Sequence, residues 1–406
     1  MNKKLKKVKQ GKIMIKTAKY IVTYFIFALI LGIGTGALAS FFLNALAWVT
    51  QTRIDHEWLI YFLPICGLLF VFLYKKFGGN SHKGNNLIID SAAGGGEKIQ
   101  LRLIPLTLFG TITAHLFGAS VGREGTAFQM GGALADNLAK LTRGKFLDRD
   151  IVIISGIAAG FSAVFGTPIA GTIFALEILA FGYLRKDAIY PALLSAFFAN
   201  QFGKLFGAVH MECPQIALPM DFTIWNLAQI ALASIVFGVV ALVFVKALKL
   251  LRLNYARFIK NPYLIMLAGA IIVIIFAVAT NHKYEGLSLD LLQYSFTNPV
   301  HPLDFLGKLA MTVLSLGAGF QGGEVTPLFV IGATLGNSIA VAFGLNIAVF
   351  AACGFVGVFS GATKAPIACF IMGVELFGAQ IALYLLVAAV VAYVASGREG
   401  IYASQR

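Results

Sequence analysis

The chain has 406 residues, of which 58% are apolar and 12% charged, and it carries a net charge of +14. Soluble domains have roughly twice that share of charged residues, so cytosolic, secreted and disordered readings are excluded. Apolar runs recur along nearly the whole length, which rules out the roughly ten-residue alternating strands of a spanning barrel and leaves an all-α polytopic membrane protein.

The first segment, residues 1–19, holds eight lysines (Lys3, Lys4, Lys6, Lys7, Lys9, Lys12, Lys16 and Lys19) and no acid. It abuts an apolar run from about 20 to 49. Positive charge at the end of a first span places this terminus in the cytoplasm. Ala37-Leu38-Ala39 resembles a cleavage site, but the apolar run continues past it and is too long for a signal core of roughly 7–15 residues. Further apolar segments fall near 58–74, 101–121, 126–138, 151–182, 189–203, 223–251, 263–280, 303–320, 325–361 and 366–395. Several exceed one perpendicular span of about 20 residues and others fall short of it. Breaks at Gly84, Gly94 to Gly96, Gly122, Gly125, Pro168, Gly322, Gly323, Pro327 and Pro366 predict tilted, broken and re-entrant helices. Irregular backbone at membrane depth survives only where it lines a cavity or is buried in protein, so the breaks mark a pathway. A second acid-free basic run, Lys246, Lys249, Arg252, Arg257 and Lys260, reads as a cytoplasmic loop near anionic lipid. The four cysteines form no CxxC pair, which argues against a disulfide scaffold or zinc site. No cofactor is implied, and no nucleic-acid partner.

The chain repeats itself. Gly122-Arg123-Glu124-Gly125-Thr126 matches Gly322-Gly323-Glu324-Val325-Thr326 at an offset of 200, followed by Gly132, Ala133 and Asn137 against Gly332, Ala333 and Asn337. Pro168-Ile169-Ala170, Ile173 and Glu177 match Pro366-Ile367-Ala368, Ile371 and Glu375 at an offset of 198, as do Gly156, Phe161 and Ser162 against Gly354, Phe359 and Ser360. The expected organisation is a first membrane repeat over 20–205, a linker over 206–222, a second repeat over 223–395 and a C-terminal segment over 396–406. Broken segments at corresponding places in two halves are a pointer to a transporter site. Whether the repeats are inverted or parallel is not legible from the pattern.

Glu124 and Glu324 sit at the corresponding breaks, each in a Gly-flanked turn before a helix. Thr326 suits an N-cap and Pro327 a first helical position. Backbone N–H groups at such a helix start form an anion site. A carboxylate there can occupy the site itself and yield it on protonation, which would couple anion and proton movement through one side chain. A first-turn acid that merely caps its helix is the plainer reading of either Glu alone. Two of them at repeat-equivalent breaks inside a membrane point to function. Glu177 and Glu375 occupy equivalent positions too, and their symmetry fits a structural task such as holding loop amides. His115, in an apolar run, reads as a buried and satisfied histidine.

Gly122-Arg123-Glu124-Gly125 resembles the GREG motif of the CLC chloride channel and transporter family, and the Pro168, Pro366 and Gly323-to-Pro327 blocks resemble that family's other signatures in its order. The likeness runs from about residue 20 to the end, and it implies a CLC-type inverted repeat of tilted and broken helices and a homodimer. Chloride-handling members carry a Gly-Ser-Gly-Ile-Pro stretch; here Gly84-Asn85-Asn86-Leu87-Ile88 stands in its place. The Pro after GREG is Thr126, the Gly-x-Phe-x-Pro stretch is Gly323-Glu324-Val325-Thr326-Pro327, and the second acid after the first Pro block is Ile178. These departures resemble the fluoride/proton antiporter clade. The resemblance implies that Glu124 is the gating glutamate and Glu324 the inner proton carrier. It places Asn85, Val325, Thr326 and Tyr402 on the anion path, with Gly122, Arg123, Gly125 and Thr126 around it. For Arg123, pairing with an acid to fix its loop is a further reading, and Thr126 and Thr326 are both expected to offer hydroxyls to the anion. An Asn amide supplies two N–H donors, suited to a small, strongly hydrated anion; whether Asn85 uses its side chain or its backbone N–H is not legible from the sequence.

The expected function is export of fluoride across the cell membrane in exchange for protons. A chloride or nitrate exchanger, or a passive anion channel, is the alternative within transport. A membrane-embedded hydrolase would need a nucleophile with a base, a metal motif or a paired-Asp site, and the sequence has no GxSG-type serine with a His partner, no HExxH and no intramembrane Asp pair. The chain ends soon after its last apolar run, so the cytoplasmic regulatory domain of some family members is expected to be missing.

Overall fold

The computed structural model describes residues 2–141, 147–179, 185–216 and 222–405, with the side chains of residues 2–13 and 15 excluded. Most side chains of the basic segment 1–19, and residues 217–221 of the linker 206–222, therefore lie outside the description. The described chain is helical almost throughout. In the first half come α1 (Asn2–Asp55), α2 (Leu63–Leu73), α3 (Asn85–Ala92), α4 (Leu103–Leu116), α5 (Glu124–Leu141), α6 (Arg149–Phe165), α7 (Pro168–Glu177) and α8 (Ile189–Leu205). In the second half come α9 (Ile224–Phe258), α10 (Pro262–Ala279), α11 (Leu289–Tyr294), α12 (Asp304–Ala318), α13 (Val325–Phe343), α14 (Ile347–Thr363), α15 (Pro366–Phe377) and α16 (Ala382–Ala395). Long and short helices are mixed as the breaks led one to expect, but the apolar run 325–361 is further divided at Gly344, the left-handed C-cap of α13. α1 and α9 are far longer than a perpendicular span needs, whereas α3, α7 and α15 are too short to cross.

Two differences from the sequence reading concern helix ends. The basic run from Lys246 is mostly not a loop: Lys246 to Arg257 lie in the last turns of α9, because nothing there breaks a helix, and only Lys260 follows it, just before the Asn261 cap of α10. At the second break the helix begins earlier than expected. Glu324 is the N-cap, Val325 the first helical residue and Pro327 the third. A proline there still costs no hydrogen bond, since the first four N–H groups of a helix have no partner within it.

Small residues make the inner crossings. A Cβ on Gly131 would fall 2.2 Å from the Gly156 carbonyl oxygen, and one on Gly332 would fall 2.1 Å from that of Gly354. Gly156 and Gly354 are repeat equivalents, while their partners Gly131 and Gly332 are one position out of register, so each half joins its long helix (α5 or α13) to the next (α6 or α14) by a backbone-on-backbone contact of the same kind. In lipid, such close approach is a main source of helix association.

The Pro-initiated helices exchange caps between halves. Glu177, at the end of α7, accepts from Ile367 N (3.1 Å) and Ala368 N (2.8 Å) at the start of α15. Glu375, near the end of α15, accepts from Ile169 N (3.1 Å) and Ala170 N (2.8 Å) at the start of α7. The two helices therefore run antiparallel, and the pseudo-two-fold that exchanges them makes the repeats inverted. Each carboxylate fills two of the four donor positions that a helix start leaves open.

Candidate functional site

The two breaks meet at the pseudo-two-fold. Gly122 N–H donates to the Gly323 carbonyl (2.6 Å) and Gly323 N–H to that of Gly122 (2.8 Å), a one-residue antiparallel bridge. The bridge sets the starts of α5 and α13 side by side. It also occupies the Gly122 N–H, so Gly122 holds the loops together and has no donor left for an anion. A Cβ on Gly323 would fall 1.7 Å from Glu124 Oε1 and 2.7 Å from the Gly125 backbone nitrogen, so only glycine lets the two loops pass this close with the carboxylate between them.

The carboxylate of Glu124 leaves its own helix and enters the start of α13. It accepts from Val325 N (2.5 Å), Thr326 N (3.2 Å) and Thr326 Oγ1 (3.2 Å), and from Arg123 N (2.9 Å) in its own turn. Glu124 is buried. Its contacts are those of an anion at a helix N-terminus, with hydrogen bonds and the end of the helix dipole acting together. The hydroxyl of Thr326 thus serves the carboxylate rather than capping its own helix.

Glu324 immediately precedes the Val325 amide that holds Glu124. Its side chain is also buried, yet it lines a cavity of about 390 Å³. Its Oε1 lies 3.9 Å from Arg252 Nη2, and its Oε2 has no hydrogen-bond partner among the described residues. The cavity walls include His82, Lys83, Asn85, Gln129, Gln321 and Tyr402. One cavity therefore joins the Gly84-Asn85 break, the break before α13 and the C-terminal segment.

Asn85 opens α3, with Gly84 as its N-cap. Its Oδ1 accepts from Gln129 Nε2 on α5 (2.6 Å). A Cβ on Gly125 would fall 3.1 Å from Asn85 Nδ2 and 3.1 Å from Gly323 Cα, so Gly125 is the thin spot between Asn85 and the second loop. Tyr402 reaches the cavity because residues 396–405 fold back. Ile401 N donates to Ala362 O (2.9 Å), Ser404 N to Asn86 Oδ1 (3.2 Å), and the buried Lys364 ammonium to Ser396 Oγ (2.6 Å) and Gly397 O (2.8 Å). The Tyr402 ring stands edge-on to Phe128 at 6.2 Å, and its hydroxyl is buried with no partner among the described residues.

Two expected site residues turn elsewhere. The Thr126 hydroxyl is hydrogen-bonded to Thr111 (2.6 Å) and Thr107 (3.4 Å), in a buried hydroxyl cluster that Gln321 Nε2 joins through Thr107 (3.2 Å). A side chain on the third residue of α5 faces α4, opposite to the face that Glu124 uses. Arg123 has no acid partner among the described residues. Its guanidinium lies over Phe165 (5.6 Å), its Nε and Nη2 have no partner there, and it lines a second cavity of about 380 Å³ with Arg53, His210, Glu212 and Asp290. His115 is buried with Nδ1 on Thr111 O (2.8 Å), but its Nε2 has no partner among the described residues, so it is only half satisfied. The second Gly397-Arg398-Glu399-Gly400 stretch is a surface loop, with Glu399 paired to Lys249 at 3.1 Å.

Sequence reading missed Gln129, Gln321 and the role of Arg252. Gln129 had a signal, since it is a polar residue in the apolar run Ala127-Phe128-Gln129-Met130, where an unpaired amide is costly. Arg252 had none beyond its charge, because α9 is distant in sequence from both breaks.

The family model for voltage-gated chloride channels matches residues 66–397, and the chain belongs to the CLC family of membrane transport proteins. A chloride/fluoride channel protein of Pseudomonas syringae pv. tomato is 42% identical over 394 residues, covering 95% of this chain and 87% of that one. An H+/Cl− exchange transporter, ClcA, of Vibrio parahaemolyticus is 26% identical over 386 residues, covering 86% and 81%. Among solved structures, a CLC-type fluoride/proton antiporter superposes with a TM-score of 0.92 at 37% identity, covering 95% of this chain and 98% of that one. A slow cyanobacterial Cl−/H+ antiporter superposes with a TM-score of 0.83 at 20% identity, covering 93% and 96%, and shows the fold alone.

Proposed function

We propose that this chain is a fluoride/proton antiporter that expels fluoride using the inward proton gradient. The observation that carries the reading is the Glu124 carboxylate seated as an anion on the N–H groups of α13, one residue from a second buried carboxylate, Glu324, that opens to a basic cavity. An anion entering that cavity meets Arg252, Lys83 and His82, then the Asn85 amide and the start of α13. To seat there it must displace Glu124. Protonation of Glu124 weakens its hold on three α13 donors, and the anion takes them. Glu324, beside Arg252 at the cavity wall, is the group that exchanges protons with the inner solution. Tyr402 closes the path beside Phe128. Fluoride holds its water strongly, so it needs short, strong donors in exchange; the backbone N–H groups of Val325 and Thr326, the Thr326 hydroxyl and the Asn85 amide are of that kind. The names of the 42% identical relative and of the 37% identical structure, both of which include fluoride, support the choice of ion.

The cavity mouth is assigned to the cytoplasmic side of the cell membrane. Contacts run from α1 through Tyr24–Asp148 (3.0 Å) to Arg149, from Arg149 to Glu97 O (2.6 Å), and from Glu97 to Lys83 at the mouth. The lysine-bearing end of α1 is thus on the same face as the mouth, and the positive-inside rule puts that face in the cytoplasm. The basic turns of α9 lie there as well, next to anionic lipid. The protein is taken to be a homodimer with one pathway per subunit, and residues 20–205 and 223–395 to be its two repeats.

The test is reconstitution in fluoride-loaded liposomes, with external fluoride read by electrode and internal pH by dye, and chloride as comparator. Fluoride efflux with proton uptake, and much slower chloride, is the expected result. Chloride moving as fast as fluoride would return the protein to the general anion exchangers.

A further inference from the structure

We propose that Gln129 is a positioning residue for fluoride selectivity: it fixes the sense of the Asn85 side-chain amide so that the N–H donors of Asn85, and not its carbonyl oxygen, face the anion path. The inference rests on the reading of Asn85 as an anion-binding residue.

An asparagine amide is two-faced. Its NH2 group attracts an anion and its oxygen repels one, and the two orientations have nearly the same shape. Something must choose between them. In this chain the choice falls to a single contact, because Gln129 Nε2 donates to Asn85 Oδ1 at 2.6 Å. With its oxygen taken, Asn85 Nδ2 makes no hydrogen bond among the described residues and is not sealed from the cavity that Asn85 lines. The whole amide lies beside Gly125, the residue after the gating carboxylate, with Nδ2 3.1 Å and Oδ1 3.2 Å from where a Cβ there would stand, so the hydrogen bond to Gln129 alone sets its sense.

Packing holds the Gln129 side chain against Asn85. Gln129 is 2% exposed, on the same helix as Glu124, and flanked by the fully buried Phe128 and Met130. Its Nε2 also lies 3.5 Å from where a Cβ on Gly84 would stand, an ordinary packing distance to the residue before α3. Its own Oε1 is buried without a partner among the described residues, so the pair is not a closed network with an independent structural purpose. A buried amide with one end unsatisfied is costly and needs a compensating use, which a correctly presented donor on the anion path supplies.

The test replaces Gln129 and reads the ratio of fluoride to chloride flux in liposomes and the fluoride binding constant by calorimetry. Gln129→Glu keeps the shape but can only accept, so it draws Asn85 Nδ2 toward itself and turns the oxygen to the path. The expected result is a fall of about tenfold or more in fluoride binding, the worth of one bond to an ion, and a matching fall in the flux ratio. Gln129→Met removes the bond without charge and leaves the amide free to turn, with an expected fall of about threefold, a fraction of that bond. Both effects should largely vanish in an Asn85→Ala background, since Gln129 acts through Asn85. A Gln129→Glu loss that persists undiminished in Asn85→Ala would be a charge effect alone and would overturn the proposal, as would an unchanged ratio in both Gln129 variants. If Asn85→Ala itself leaves the native flux ratio intact, the anion-binding reading of Asn85 fails and takes the proposal with it. If Asn85→Ala collapses the ratio and the Gln129 variants do not move it, only the proposal fails. Asn85→Ser serves in place of Asn85→Ala should the latter not fold.

Discussion

Replacing Glu124 with alanine removes a competitor rather than a donor, and the structure sets the size of the effect. The carboxylate receives four hydrogen bonds, three from Val325 and Thr326 and one from the Arg123 N–H in its own turn. An anion seated at the start of α13 inherits the first three. The fourth belongs to the carboxylate's own loop, so the native side chain holds the site by about one bond to a charged group, about 1.5–3 kcal/mol. That corresponds to about ten- to a hundredfold in a binding constant. Glu124→Ala should therefore bind fluoride at least about tenfold more tightly at neutral pH, as read by calorimetry on the purified protein. The pH dependence changes as well. In the native protein fluoride binding should strengthen as pH falls, because protonation loosens the carboxylate; in the variant it should be flat. In liposomes the fluoride gradient should no longer drive proton uptake, while fluoride itself still moves. Unchanged affinity together with surviving proton coupling would refute the displacement mechanism.

Three further outcomes follow from the same geometry. Thr326→Val removes one donor that carboxylate and anion share, so it should weaken fluoride binding about tenfold in the Glu124→Ala background and distinctly less in the native one, where both competitors lose it. Arg252→Ala takes away the cation 3.9 Å from Glu324; fluoride flux should fall a few-fold at low ionic strength, and the deficit should shrink as salt is raised, since Arg252 is half exposed and screened. Glu375→Ala uncaps α7 at two N–H groups and should cost about 1–2 kcal/mol, the worth of a helix cap. This should lower the melting temperature while proton-coupled flux per folded protein persists, and Glu177→Ala should do the same to α15. A loss of coupling without a loss of stability would move these two acids into the transport path.

Much of the site was legible because its residues mark themselves locally. Glycine and proline breaks in apolar runs have one physical use inside a membrane, and acids beside such breaks are too costly to be idle. Glu124, Glu324, the Gly84 break and the internal repeat could all be read this way, and so could the capping role of Glu177 and Glu375, from their symmetry alone. What the chain could not announce is direction. Whether Thr126 faces the anion or α4, whether Arg123 meets an acid or an aromatic ring, and whether the Gly122 N–H is free or bridged depend on which elements the fold places opposite each position. The inverted sense of the repeat was likewise settled by the crossed caps of α7 and α15, a contact between residues about 200 positions apart. The sequence by itself determined that this is a helical membrane protein with paired acids at paired breaks. Only the tertiary structure decided that one acid sits as an anion on the other's helix, because hydrogen-bond donors gain their direction from the helix that carries them and their occupant from the helix packed against it.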